Sequence, residues 1–292
     1  MIEARDLTKR FTVVDDGGAV RVRTALCKVS LSITPGEIVG ILGPTGCGKT
    51  TLLELLAGMQ APTEGSVRIN GVLALPPEPF APRALRAYRQ RHLLPSVSNG
   101  LWRDRRRHDV AVVFQDHAVF PWMTTLRNVT FALRAGGVPR AQRRERAVAA
   151  LESVGLADAL YKYPTQLSVG MRQRLALARA FVVQPKVIFL DEPFASVDQA
   201  TRRQLQDLLL DIWEATGATI VIVTHDHDEA VYLCDRIVLF EGAPGVVSRI
   251  HPVRRDRPRT RAVLETIQLP KLGNAESQLS STPIPRLLFR GL

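Results

Sequence analysis

Apolar positions along the chain follow two periods. Leu26-Cys27-Lys28-Val29-Ser30-Leu31-Ser32-Ile33 alternates apolar with small or polar residues, as a half-buried strand does. The whole stretch from Ile2 to about Asn70 reads as short strands, and Gly65–Asn70 closes on an Asn70-Gly71 hairpin signal. Glu37–Leu42 is a short apolar run before a glycine loop. Ala111–Phe114, Val187–Leu190, Thr219–Val223 and Arg236–Phe240 are nearly all apolar, the pattern of strands covered on both faces. Between them the period lengthens. Thr51–Met59, Arg140–Val154, Ser168–Val183 and Thr201–Ala215 read as helices, the last with Leu205, Leu208, Leu209 and Ile212 on one face. Strands alternating with helices predict an α/β fold with a largely parallel sheet.

Two segments break this pattern. Residues 72–109 carry Pro76, Pro77, Pro79, Pro82 and Pro95 and end in Arg103-Asp104-Arg105-Arg106-Arg107, which reads as a surface insertion. From Gly245 the chain turns basic and proline-rich, and beyond about Thr266 it is expected to be loose. The expected organisation is one domain over residues 1–242, with an insertion at about 72–109, then a basic, partly disordered extension over 243–292.

Charge sharpens that division. The net charge is +11, and the two segments hold all of it. Eight arginines stand against Glu78, Asp104 and Asp109 in the first, and nine basic residues against Asp256, Glu265 and Glu276 in the second. A basic balance of this size invites a nucleic-acid reading, but the body of the protein is neutral. The longest apolar stretches, such as Ala218–Val223, fall far short of the ~20 residues a membrane helix needs. The N-terminus lacks a basic-then-apolar leader. Cys27, Cys47 and Cys234 are too few and scattered for a disulfide framework, which points to the cytosol.

The chemistry begins at Gly43-Pro44-Thr45-Gly46-Cys47-Gly48-Lys49-Thr50, which fits GxxxxGK followed by Ser or Thr. It follows an apolar strand and opens a helix, the context of a phosphate loop. There the backbone N–H groups curl around an anion and the helix N-terminus adds its dipole. Lys49 would reach the β- and γ-phosphates and the Thr50 hydroxyl would bind Mg²⁺; Thr51 is counted among the nucleotide contacts. Asp191-Glu192 ends a strand at the crevice where ligands of parallel sheets bind. Asp191 suits the Mg²⁺ shell, and Glu192 suits a general base for the attacking water.

Leu167-Ser168-Val169-Gly170-Met171-Arg172-Gln173-Arg174 resembles the LSGGQ signature of ABC ATPases. Gln115 after a strand, Ala195-Ser196-Val197-Asp198 after Glu192, and His225 after Thr219–Val223 complete that family's motifs in its order. The resemblance covers roughly residues 1–71 and 110–260. Within the family, Phe114-Gln115-Asp116, Asp191-Glu192-Pro193-Phe194, Thr224-His225-Asp226 and the Gly242–Gly245 turn look most like the ATPases of nitrate, sulfonate and taurine importers. The implied fold is an ABC-type nucleotide-binding domain: a RecA-like phosphate-loop core, an antiparallel β subdomain and an α-helical signature subdomain.

The resemblance also implies roles. Ser168 and Gly170 would contact ATP across a dimer interface, and Asp198 would cross it. Gln115 would sense Mg²⁺ and the water and link the site to a membrane partner. His225 would hydrogen-bond the γ-phosphate, and Phe11 would stack on adenine. Partners follow: a second copy or second ATPase subunit, separate permease subunits, indirectly a solute-binding protein, and no nucleic acid. The location implied is the cytoplasmic face of the inner membrane, as a peripheral subunit. The alternatives are an exporter ATPase, a soluble ABC ATPase acting on nucleic acid, and a regulatory paralogue with weak hydrolysis.

This chain departs from the pattern at three places. Val169 replaces the first signature glycine, and a β-branched residue in a tight loop is expected to hinder closure. Met171 replaces Gln, and Ala195 replaces a small polar residue. His225-Asp226-His227-Asp228 alternates faces after a strand and is not read as a metal cluster. Cys47 fills a small-residue slot in the phosphate loop, and Arg103–Arg107 reads as a solvated run.

Overall fold

The computed structural model describes residues 1–14, 18, 20–74, 109–116 and 118–253. The insertion expected at about 72–109 therefore lies almost wholly outside the described residues, as does the extension beyond Val253.

Two sheets share one core. The first is antiparallel, in the order β2 (Val20–Ile33), β1 (Ile2–Val14), β4 (Glu64–Ile69), β5 (Val72–Leu73). The Asn70-Gly71 signal forms the β4–β5 hairpin, with φ of 50° and 78° at its two residues. The second sheet runs β10 (Val246–Pro252), β9 (Arg236–Glu241), β3 (Ile38–Leu42), β8 (Thr219–Thr224), β7 (Val187–Asp191), β6 (Val110–Val113). Its neighbours pair in parallel from β9 to β6, and β10 joins antiparallel at the edge. The sheet therefore continues past the boundary expected at residue 242. Turn residue Gly245 is fixed between β2 and the phosphate loop: its N–H donates to Ala25 O at 2.9 Å and its carbonyl accepts from Cys27 N at 3.1 Å.

The continuous apolar runs resolve into two faces of the parallel sheet. Ile38, Leu42, Ile188, Leu190, Ile220 and Ile222 face α4 (Val169–Phe181), α5 (Gln199–Thr216) and α6 (His227–Leu233). Val39, Ile41, Phe189, Val221 and Val223 face α1 (Lys49–Leu56) and the antiparallel sheet. Alternate residues of a strand point to opposite faces, so a run covered on both sides must be apolar throughout. A third cluster packs α2 (Thr125–Ala135), α3 (Arg140–Ser153) and α4 around Leu126, Val129, Leu133, Leu151 and Leu175.

The helix starts place two of the candidate site residues, Ser168 and Asp198. Thr124, Ser168, Asp198 and Asp226 each cap a helix by accepting a backbone N–H from the first turn. Helix α1 stops at Leu56, earlier than the expected Met59. Gly58 N–H bonds Leu55 O at 3.1 Å and Met59 N–H bonds Glu54 O at 2.9 Å, so the chain leaves the helix through a Schellman turn.

Candidate functional site

Strands β3, β8, β7 and β6 point their carboxyl ends the same way, and the loops that leave them gather the predicted residues. The phosphate loop leaves β3. Gly46 and Gly48 take φ of 85° and 97°, a region closed to most side chains, which lets the backbone curl between β3 and α1. Lys49 opens α1 with its side chain almost fully buried, and its Nζ donates to Gly43 O and Pro44 O at 2.8 Å each. The loop thus holds its own cation at the point where an anion would sit. Pro44 and Thr45 complete the span. Cys47 is buried, and burial pushes its thiol pKa up, which fits a packing role rather than a reactive one. Thr51 sits in the first turn of α1.

Across the crevice, Thr50 Oγ1 stands 3.4 Å from Asp191 Oδ1. Burial raises the pKa of Asp191; the Thr50 hydroxyl works against that shift, and the neighbouring Glu192 adds to it. A buried carboxylate beside a hydroxyl and a second carboxylate is an oxygen donor set that suits a hard divalent cation. Glu192 adopts φ of 44°, and its N–H is fixed to Val223 O at 2.9 Å. Its Oε2 lies 3.4 Å from Nδ1 of His225, whose side chain is 56% exposed. A carboxylate and an imidazole thus converge beside the phosphate loop, a geometry able to hold and deprotonate a water. Gln115 sits exposed in the turn after β6, one strand further along.

Phe11 lies on β1, opposite Arg23 of β2 and partly buried. Lys9 Nζ stands 5.0 Å from the ring centroid and donates to Ala61 O at 2.8 Å, so the ring is backed by an anchored cation.

Ser168, Gly170 and Asp198 form a separate group at the starts of α4 and α5. Ser168 Oγ accepts from Met171 N, and Asp198 Oδ1 accepts from Ala200 N and Thr201 N at 3.1 and 3.0 Å. Gly170 packs against α5 so closely that a Cβ there would stand 2.5 Å from Thr201 Cγ2. These hydrogen bonds of Ser168 and Asp198 run within their own helix starts.

Two expectations change. Val169 does not sit in a tight loop: it is the first residue of α4 and packs against the core cluster of the sheet. Its β-branch meets no unusual backbone there, so the expected hindrance has no basis in this geometry. The 225–228 run does not alternate as a strand would. Asp226 caps α6, whose first residue is His227, and among the described residues no three His, Cys, Asp or Glu side chains are grouped as metal ligands.

Sequence reasoning missed Glu229. It is buried on α6, and burial, then the nearby Asp226, pushes its pKa up to about 8. Asp226 Oδ2 in turn accepts from Arg202 of α5 at 3.1 Å. Glu229-Ala230 follows His225 by four residues, and nothing in a short polar run announces burial.

Fold and site together define a phosphate-loop nucleotide-binding domain with two carboxylates, Asp191 and Glu192, beside the loop. The ABC transporter family matches residues 26–195. The chain is 43% identical over 233 residues to a taurine import ATP-binding protein of Chromobacterium violaceum, covering 80% of this chain and 78% of that one. It is 37% identical over 241 residues to an aliphatic sulfonates import ATP-binding protein of Bacillus subtilis, covering 82% of each. A dimeric post-hydrolysis structure of the ATP-binding cassette MJ0796 bound to ADP and Pi superposes with a TM-score of 0.69 at 29% identity, over 88% of this chain and 100% of that one. The chain belongs to the ABC transporter family as an ATP-binding, ATP-hydrolysing subunit.

Proposed function

We propose that this subunit powers import of a small solute of the nitrate, sulfonate or taurine class through separate permease subunits. The observation that carries the catalytic part is the convergence of Glu192 and His225 at 3.4 Å beside the Thr50–Asp191 pair. Glu192 accepts the proton of the attacking water, His225 holds that water and the γ-phosphate, and Lys49 leaves its loop carbonyls for the β/γ charge. Thr50 and Asp191, with Gln115, would hold Mg²⁺. Bound there, the ion would neutralise phosphate charge. Phe11 stacks on adenine, and Gly43–Thr51 wraps the phosphates.

Two copies pair head to tail. Ser168, Gly170 and Asp198 of one then complete the site of the other, which accounts for their separation from the phosphate loop. The dimeric form of the cassette MJ0796 supports this arrangement. Among the described residues no helix is long and apolar enough to cross a membrane, so the permease is a separate chain in this reading. The subunit docks at the cytoplasmic face of the inner membrane. Seven residues beyond Gln115, Trp122 is 68% exposed, with its ring tilted against Phe120 at a centroid distance of 5.6 Å, an aromatic surface that a membrane partner would cover.

The solute class rests on the two importer relatives. The test is the ATPase rate of the subunit co-purified with its permease and solute-binding protein. Taurine, an alkyl sulfonate or nitrate should raise the rate several-fold. A rate indifferent to all three would remove the solute class while leaving the ATPase intact.

A further inference from the structure

Two segments that serve different nucleotide sites are joined by one arginine. Arg202 lies in the first turn of α5, four residues beyond Asp198. Its Nη1 donates to Asp226 Oδ2 at 3.1 Å and its Nη2 to Val197 O at 3.3 Å. Val197 precedes Asp198, and Asp226 follows His225. A single rigid guanidinium therefore grips the backbone of the 195–198 loop and the residue next to the catalytic histidine. A planar fork with fixed donor spacing holds two oxygens at a set separation, which a lysine cannot do. The side chains of Arg202 and Asp226 are each 31% exposed, so the pair is partly sheltered from solvent and salt.

A second rung lies one helical turn further along. Gln206 and the Thr224 hydroxyl face the carboxyl of Glu229, whose Oε1 has no hydrogen-bond partner among the described residues. Arg202 and Gln206 are four apart on α5, and Glu229 lies three residues beyond Asp226, the N-cap of α6, so both rungs tie α5 to α6 and its cap. The raised pKa of Glu229, about 8, leaves the second rung neutral near pH 7, and Arg202–Asp226 is then the charged one.

We propose that Arg202 is a positioning residue for hydrolysis: through Val197 and Asp226 it makes the 195–198 loop and His225 move as one body. Closure of that loop against a second copy then sets His225 over the chain's own phosphates, and the state of one site is felt at the other. The inference rests on the two-copy arrangement proposed above. It predicts an effect on turnover and cooperativity rather than on nucleotide affinity, since Arg202 touches neither the phosphate loop nor adenine.

The experiment uses the full chain with Arg202→Met and Asp226→Asn, singly and together. Asparagine keeps the cap oxygen for Glu229 N–H while it discards the charge. ATPase rate against ATP concentration, melting temperature, and ATP affinity in a Glu192→Gln background are measured. Each single variant should lower kcat about tenfold, and the double should lower it no further, because both remove the same tie. The Hill coefficient should fall toward 1 and the affinity should hold within about twofold. Arg202→Lys should recover only part of the rate. A kcat within about twofold of wild type with only the melting temperature lowered overturns the proposal, as does a double variant whose loss is the product of the two singles. Failure of the Glu192→Gln protein itself to dimerise with ATP would instead overturn the two-copy reading, and this inference with it.

Discussion

At the scale of single residues, the site is built from groups whose neighbours decide their chemistry. Lys49 shares its ammonium with two loop carbonyls, and in the proposed function it gives that ammonium up to phosphate charge. Lys49→Ala should therefore lose nucleotide affinity as well as rate, at least tenfold in a titration with ATP; unchanged affinity would contradict the loop assignment. Glu229 makes a prediction of a different kind. Its carboxyl is held protonated up to about pH 8 in the folded chain, against an ordinary value of 4.5. Between those values the folded protein keeps a proton that the unfolded chain has released, so stability falls as pH rises across the window. The total is on the order of 4 kcal/mol. Glu229→Gln should flatten that slope in urea unfolding from pH 5 to 8 and leave the variant the more stable protein at pH 8. An unchanged slope would place the titration elsewhere.

At the scale of elements, most of what positions the site was legible. Runs such as Val187–Leu190 and Thr219–Val223 could only be strands covered on both sides, and the phosphate loop lies between a strand and a helix as its pattern required. Other elements were hidden for physical reasons. Helix α2 carries Asn128, Val129 and Thr130 in its interior, poor helix formers held by the cluster beneath them. Helix α6 has only seven residues, too few to show a period, and its start depends on Asp226 as a cap. Strand β1 is broken by register shifts around Asp6, at φ of 48°, which blur its alternation. The candidate catalytic residues were legible because their motifs demand particular side chains at particular spacings; the Arg202–Asp226–Glu229 link was not, because it joins two helices through burial. Val169 illustrates the same limit. As the first residue of α4 it contributes packing, so Val169→Gly should cost about 1 kcal/mol in stability and gain no rate. A faster enzyme of unchanged stability would return it to the loop reading. Strand β10 carries a further test. A chain ending at Gly242 loses that strand and the Gly245 contacts to β2, and should lose nucleotide binding along with stability. A chain ending at Val253 should keep its ATPase, and if the two truncations behave alike, β10 does not support the site.

At the scale of the whole molecule, a neutral domain holds every motif assigned to catalysis, and the chain's charge excess lies at 72–109 and beyond 242. Hydrolysis should therefore survive replacement of residues 76–105 by a short Gly-Ser linker, while salt-sensitive binding to anionic vesicles or permease should weaken. Loss of hydrolysis in a folded variant would make that segment part of the cassette. In the proposed function two copies close on ATP and reopen on hydrolysis, and Glu192 would be the group on which both halves of that cycle turn. The most direct measurement is size-exclusion chromatography and turnover of Glu192→Gln with ATP, against ADP and the wild type. The amide cannot take the proton and no longer repels the γ-phosphate, so the variant should elute as a dimer with ATP and a monomer with ADP, with turnover reduced at least a hundredfold. A variant that remains monomeric with ATP, or turns over within about threefold of wild type, would contradict the account.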